Sequence, residues 1–233
     1  MFEPFGWQHL LPLAKGAILT IALSASAGLV GSILGMILGL ARTSPSRIAR
    51  WVSAIYVGFV RGIPLLVIIF FSYFGLPLLF PGLELSTFLT SLVALSIYAA
   101  AYMAEIIRGS IEAIPKGQSE AASALGLGYY YKYRYVIIPQ AMRIVIPPGV
   151  GFLIMLVKET SLVTVVGFIE LTRAGSVVSN LTADPITTFL VVAAFYFVIC
   201  YGISLLGQRY EKKAGVHADP LSKPLSLRVG SAK

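Results

Sequence analysis

The sequence predicts an all-α, polytopic membrane protein with five transmembrane helices, and three observations carry that prediction. Of 233 residues, 57% are hydrophobic and only 12% are charged, where a soluble domain has about 25% charged residues. Mean hydropathy is +0.85. The apolar residues gather into five runs, each of about the 20 residues that a spanning helix needs.

The first run, 13–40, begins too late and runs too long for a cleaved signal. No basic stretch precedes it, and it ends at Arg42, so it reads as a retained helix. Within it Ala27, Gly31, Gly35 and Gly39 recur every four residues and make a smooth face for close helix approach, either inside this chain or against a second copy. The second run, 54–80, contains Arg61-Gly62-Ile63-Pro64. Pro64 removes a backbone donor, so either the helix bends there, or 48–60 lies along the interface and a short span starts at Pro64. The third, fourth and fifth runs are 86–107, 141–168 and 186–206, and Trp7 and Trp51 fall near predicted boundaries, where interfacial aromatics sit.

The basic residues set the orientation. Arg42, Arg47 and Arg50 follow the first run; Arg108, Lys116, Lys132, Arg134 and Arg143 surround the connection between the third and fourth; Arg209, Lys212, Lys213, Lys223, Arg228 and Lys233 follow the fifth. The opposite side has Lys15 and Arg173 beside Glu3, Glu84, Glu170 and Asp184. The positive-inside rule then puts the N-terminus outside and the C-terminus inside. The net charge of +8 is mostly this orientation signal, which argues against nucleic acid as a partner. A single cysteine, Cys200, excludes an internal disulfide framework, and His9 with His217 cannot make a metal cluster.

The connection 109–140 is too elaborate for a passive turn. Pro115, Lys116 and Gly117 break the third span; Ser119 is the expected N-cap of a short helix, with Glu120 in its first turn, where a carboxylate suits the helix dipole. Ala121, Ala122, Ala124 and Leu125 continue that helix and Gly126 ends it with a positive φ. A second short helix is expected at about 129–135, and Pro139 marks entry to the fourth span. Tyrosines anchor such a protrusion well because their rings are both apolar and hydrogen-bonding. An aromatic belt on the membrane surface is the competing reading.

Glu-Ala-Ala at 120–122, three residues, Gly126, nine residues, then Val136-Ile137-Ile138-Pro139 resembles the "EAA" signature of ATP-binding-cassette (ABC) importer permeases, whose pattern ends Ile-x-Leu-Pro. Val136 and Ile138 depart from it by volume-preserving apolar changes. The stretches RGIPLLV (61–67), AYMAEIIRGSIEAIPKGQ (101–118), PQAMRIVIPP (139–148) and KETSLVTVVGFIEL (158–171) look like the polar amino-acid branch of these permeases, the histidine/glutamine/arginine type. Ser110 stands where that branch usually has Gly. The likeness runs nearly to Glu211; 1–213 is thus expected to be the permease domain and 214–233, rich in proline, serine and charge, a disordered cytoplasmic tail.

The resemblance implies a type I ABC importer fold and a multi-pass location in the bacterial inner membrane. In that family the segment docks into a separate ATPase, so Glu120, Ala121, Ala122, Gly126, Tyr130 and Pro139 become ATPase-coupling residues. The implied partners are an ABC ATPase pair holding ATP and Mg, a second permease subunit (identical or related), a periplasmic solute-binding protein, an amino-acid substrate and the lipid bilayer. No cofactor is expected in this chain: a GxxxxGK[ST] phosphate-binding loop is absent. A self-sufficient secondary transporter is the alternative, but such folds usually show internal repeats, and the five runs show no duplication. An intramembrane enzyme fares worse. Hydroxyls such as Ser96 and Ser161 have no membrane-embedded His or Asp to activate them.

Lys158-Glu159-Thr160-Ser161 holds the other candidate site. Counted from Arg143 at about 1.5 Å per residue, Lys158 and Glu159 lie roughly 22 Å deep in a core about 30 Å thick. Charges there need partners or a wet cavity. Glu159 is the candidate for a solute's amino group, with Thr160 and Ser161 offering hydroxyls and Lys158 facing a carboxylate, of the solute or of another helix. A structural ion pair between helices is the alternative for Glu159. Glu105 and Arg108 are placed on the same pathway, with pairing to each other at i,i+3 as the structural alternative.

Overall fold

The structure, a computed structural model, describes residues 4–82 and 85–214, with backbone alone at 213 and 214. Glu3, Glu84, His217 and the tail expected to be disordered, beyond 214, fall outside the described residues. After a 3-10 turn at Trp7–His9, the chain forms α1 (Leu10–Thr43), α2 (Arg47–Gly62), α3 (Leu65–Phe70), α4 (Leu76–Leu79), α5 (Thr87–Glu112), α6 (Lys116–Ala124), α7 (Tyr129–Lys132), α8 (Ile138–Glu159), α9 (Leu171–Thr182) and α10 (Pro185–Ala214). Among the described residues four helical stretches are long and apolar enough to cross a membrane. The bent pair Arg47–Gly62 and Leu65–Leu79, angled by 104°, makes up to a fifth.

α1 and α5 pack along most of their length and form the centre of the bundle. In lipid there is little hydrophobic drive between helices, so close backbone approach has to supply the attraction. The glycine stripe does this within the chain, against α5. A Cβ on Gly35 would lie 2.5 Å from the Met103 Cβ, and one on Gly39 would lie 2.8 Å from Ile107 Cγ2. On the α5 side Ala99, Ala100 and Ala104 are fully buried. α10 covers α8 and α9 on one flank and turns Leu190, Phe197, Val198 and Leu206 outward, where lipid solvates them.

Prolines explain the irregular stretches. Pro64 is the N-cap of α3, and the chain turns there by 104°. Pro77 and Pro139 lie in the first turns of α4 and α8, and each follows a π-helical stretch, at Phe71–Gly75 and Tyr133–Ile137. A proline lacks the donor for the carbonyl four residues back and clashes with it; in both places that carbonyl lies in the π turn, which widens the helix and lets it continue.

The connection after the fourth span is a packed helix, α9. Gly16 of α1 admits it: a Cβ there would meet Ala174 Cβ at 2.9 Å and Leu171 Cα at 3.0 Å. Thr20 Oγ1 accepts from the Leu171 N–H at 3.1 Å. Glu170, one of the charges assigned to the outer side, is fully buried as the α9 N-cap. Its carboxylate accepts from the Thr172 and Arg173 N–H groups at 2.8 and 2.7 Å and from the Tyr196 hydroxyl of α10 at 2.9 Å. Burial pushes this carboxyl above its ordinary value, against the opposing pull of those three donors.

Candidate functional site

The break between α2 and α3 opens a cavity of 360 Å³ lined by Arg61, Gly62 to Leu66, Tyr98 and Tyr102 of α5, and Glu159 and Leu162. Its volume falls within the range of about 300–1,000 Å³ typical of small-molecule sites. Three elements converge here, two of them at their ends: α2 ends at Gly62, α8 ends at Glu159, and the continuous α5 supplies a tyrosine pair one turn apart. The Tyr98 and Tyr102 rings lie 4.5 Å apart, and Tyr102 stacks on Phe152 of α8 at 5.7 Å. The Arg61 guanidinium carbon sits 5.2 Å from the Tyr102 ring centroid, within cation–π range. The lining thus pairs one guanidinium with one carboxylate over an aromatic floor. A larger hollow of 460 Å³ on the other side of the bend is lined by Tyr56, Phe59, Val67 and Phe71 without a charged group; it has nothing to orient a charged solute.

The KETS stretch divides between environments. Glu159 is half-buried and faces the cavity, while Lys158 is exposed and lies beside Cys200 of α10. Thr160 is fully buried, and its hydroxyl donates to the Val157 carbonyl at 2.7 Å. It does not line the cavity, nor does Ser161. The cause is local: beyond Glu159 the helix tightens into a 3-10 turn over Thr160–Val166, so side-chain directions no longer follow the α-helical period. Sequence reasoning missed Arg61, Tyr98 and Tyr102. Arg61 could have been found as a charge inside an apolar run, and the tyrosines by their i,i+4 spacing.

Glu105 and Arg108 do pair at i,i+3, with Arg108 Nε 3.1 Å from Glu105 Oε1, and Arg108 also bonds Glu112. Two further arginines join them: Arg42 at the end of α1 lies 3.5 Å from Glu105 Oε2, and Arg61 lies 4.0 Å from Oε1. Glu105 therefore ties the ends of α1, α2 and α5 together and lies next to the cavity, whose lining does not include it.

Beyond α5 comes the segment bearing Glu120. Its helix, α6, starts at Lys116, four residues earlier than an N-cap at Ser119 implies, because Pro115 is the N-cap, presets the backbone and has no N–H to lose. Glu120 is consequently in the second turn, on the exposed face, and the dipole argument for it does not hold. The end of α6 follows expectation: Gly126 has φ +77°, its N–H donates to Ser123 O at 3.0 Å and the Leu127 N–H to Ala122 O at 3.1 Å, the paired bonds of a Schellman motif. α7 is not the separate short helix expected: it runs through the π turn into α8 as one helical course, Tyr129–Val166. Ala122 is buried, whereas Glu120, Ala121, Tyr130 and Pro139 are exposed and Leu125 is 82% exposed. The segment is held to the bundle by the Tyr133 hydroxyl, which donates to the Thr43 carbonyl at 3.4 Å, and to itself by Lys132–Ser123 and Gln140–Gln118 contacts at 3.3 and 3.4 Å.

Comparisons with known proteins agree with this layout. Residues 31–216 match the family model described as binding-protein-dependent transport system inner membrane component. The chain is 37% identical to the probable amino-acid ABC transporter permease protein YckA of Bacillus subtilis (strain 168), over 85% of this chain and 87% of that one. It is 36% identical to the glutamine transport system permease protein GlnP of Escherichia coli (strain K12), over 90% and 97%, and 34% identical to the arginine transport system permease protein ArtQ of Bacillus subtilis (strain 168), over 86% and 91%. Among solved structures, an amino acid ABC transporter with histidines superposes with a TM-score of 0.82 at 33% identity, covering 88% of this chain and 95% of that one. The MetNI methionine ABC transporter, at 22% identity and a TM-score of 0.77, shares the fold over 90% of this chain and 99% of that one. With a family model spanning most of its length and relatives above a third identical across nearly the whole of both chains, this protein belongs to the family of binding-protein-dependent transport system inner membrane components.

Proposed function

We propose that this chain is the permease subunit of an ATP-driven importer of polar amino acids in a bacterial inner membrane, with its N-terminus outside and its C-terminus inside. The observation that carries the substrate class is the cavity lined by both Arg61 and Glu159. A free amino acid is a zwitterion: Glu159 receives its ammonium group and Arg61 its carboxylate, while the Tyr98–Tyr102 floor leaves room for the side chain. Relatives named for glutamine and arginine transport support the class. Tyr130, Leu125 and Glu120, on the protruding segment, dock on a partner ATPase that binds ATP and Mg. Two permease subunits, identical or related, enclose the path around one ATPase pair, and an external solute-binding protein delivers the amino acid.

The test uses the permease purified from its native membrane with whatever remains attached. A stoichiometric ATPase is expected to co-purify, and the complex is expected to bind an L-amino acid while rejecting the matching deamino acid. In Glu159→Gln, binding of the amino acid should fall about ten-fold or more, the worth of a charge-assisted hydrogen bond, and the preference over the deamino compound should vanish. A stable complex in which Glu159→Gln keeps full affinity and preference removes the solute role of Glu159.

A further inference from the structure

Arg61 lies between two carboxylates. On one side it lines the solute cavity with Glu159; on the other its Nη1 is 4.0 Å from Glu105 Oε1. The other two guanidiniums around Glu105 are better held. Arg108 bonds Glu105 through two nitrogens and Glu112 through a third, and Arg42 stands at 3.5 Å with a side chain 21% exposed. Arg61 has the longest contact and the most exposed side chain, at 42%, and its second support is a cation–π contact that leaves every N–H free to turn. In this cluster three guanidiniums meet two carboxylates, Glu105 and Glu112, and Glu159 on the cavity side balances the third charge, which suits a zwitterion. Glu105 Oε2 is inaccessible to water and has no hydrogen-bond partner. Its charge is therefore directed at the arginines and little screened.

We propose that Arg61 is shared between Glu105 and the carboxylate of the bound solute, and that Glu105 thereby sets the solute affinity by competing for the same guanidinium. Solute binding draws Arg61 from Glu105 into the cavity, and solute release returns it. Glu105 touches no solute; it is a positioning residue that acts through Arg61. Because Arg61 is in the last turn of α2, directly before the 104° break, the exchange acts on the end of the helix that closes one side of the cavity. The proposal rests on the reading of that cavity as the solute site.

A competitor's removal strengthens binding, which a merely structural carboxylate would not do. Equilibrium binding of the twenty standard L-amino acids to the purified permease–ATPase complex tests this, using the tightest-binding of them for the variants. Glu105→Gln should bind it about two- to five-fold more tightly, the scale of a half-exposed ion pair. Arg61→Gln should bind weakly, and adding Glu105→Gln to it should change nothing further. Should Glu105→Gln fail to assemble, Glu105→Asp keeps a charge in the cluster but draws it back by one methylene, which should weaken the longest contact, to Arg61 at 4.0 Å, and also tighten binding. Unchanged or weaker binding in the assembled Glu105 variant, or equal tightening without Arg61, overturns the shared arginine. Failure of the cavity reading is seen separately: Glu159→Gln then binds as the wild type does, or the wild type binds none of the twenty, and both readings fall together.

Discussion

Glu159 and Lys158 are neighbours in sequence with different surroundings, one facing the cavity and one beside α10. That division follows from the helical period of about 3.6 residues, which points adjacent side chains roughly 100° apart, and it was legible from the sequence alone. Thr160 was not legible in the same way, since nothing in KETSL announces the 3-10 turn that directs its hydroxyl to Val157. Arg61 was readable as a charge in an apolar run, but nothing in the sequence shows that the bend at Pro64 brings its side chain to a cavity shared with Glu159. The glycines of α1 were readable as a packing face without a partner; only the structure identifies α5 as that partner. Gly35→Leu should force α1 and α5 apart at Met103, with an overpacking cost of about 1–3 kcal/mol. The check is the yield and thermal aggregation midpoint of detergent-purified protein, both of which should fall. Gly58, where an added Cβ meets nothing within 4 Å, is the control, and Gly58→Ala should leave both unchanged.

The segment from Lys116 to Ile137 shows where turn chemistry is reliable and where it misleads. Gly126 ends α6 as expected because a positive φ is nearly free only for glycine. The start of α6 was misplaced because Ser119 offered a tempting cap, although Pro115 already supplied a helix start. The continuity of α7 with α8 was hidden for a similar reason: a proline usually marks a boundary, yet the π turn before Pro139 absorbs it. This continuity makes the tyrosine-bearing end part of one helical course with the fourth span, so under the proposed coupling a push on Tyr130 would travel along α8 toward Glu159. Gly126→Val should strain the Schellman turn by about 1–2 kcal/mol, and Glu120→Lys should reverse a charge on the exposed docking face. Both variants should insert normally and lose the co-purifying ATPase. Retention of a stoichiometric ATPase by both would remove the docking role.

Five spans enclose a solute path poorly, and the cavity opens beside a broken helix whose outward face carries Ile48, Trp51, Ile55 and Phe59. In the proposed assembly two such chains surround one path, and each would be oriented so that α6 meets the ATPase. In a Cys200→Ser background, a cysteine replacing the exposed Ser123 should react with an impermeant thiol reagent only from the cytosolic side. One replacing the exposed Asn180 of α9 should react only from outside. Reversed labelling would invert the topology. The span count and the glycine face were legible at this level because hydropathy and small-residue spacing are local properties; the hub at Glu105 was not, since Arg42 and Arg61 reach it from two other helices. The most direct test is uptake into proteoliposomes that contain the permease–ATPase complex and enclose ATP, supplied outside with the solute-binding protein and a radiolabelled amino acid. Accumulation is expected only with enclosed ATP, and Glu159→Gln should retain ATP hydrolysis while its uptake falls about ten-fold or more. Accumulation by the permease alone without ATP, or undiminished uptake by Glu159→Gln, would contradict the account.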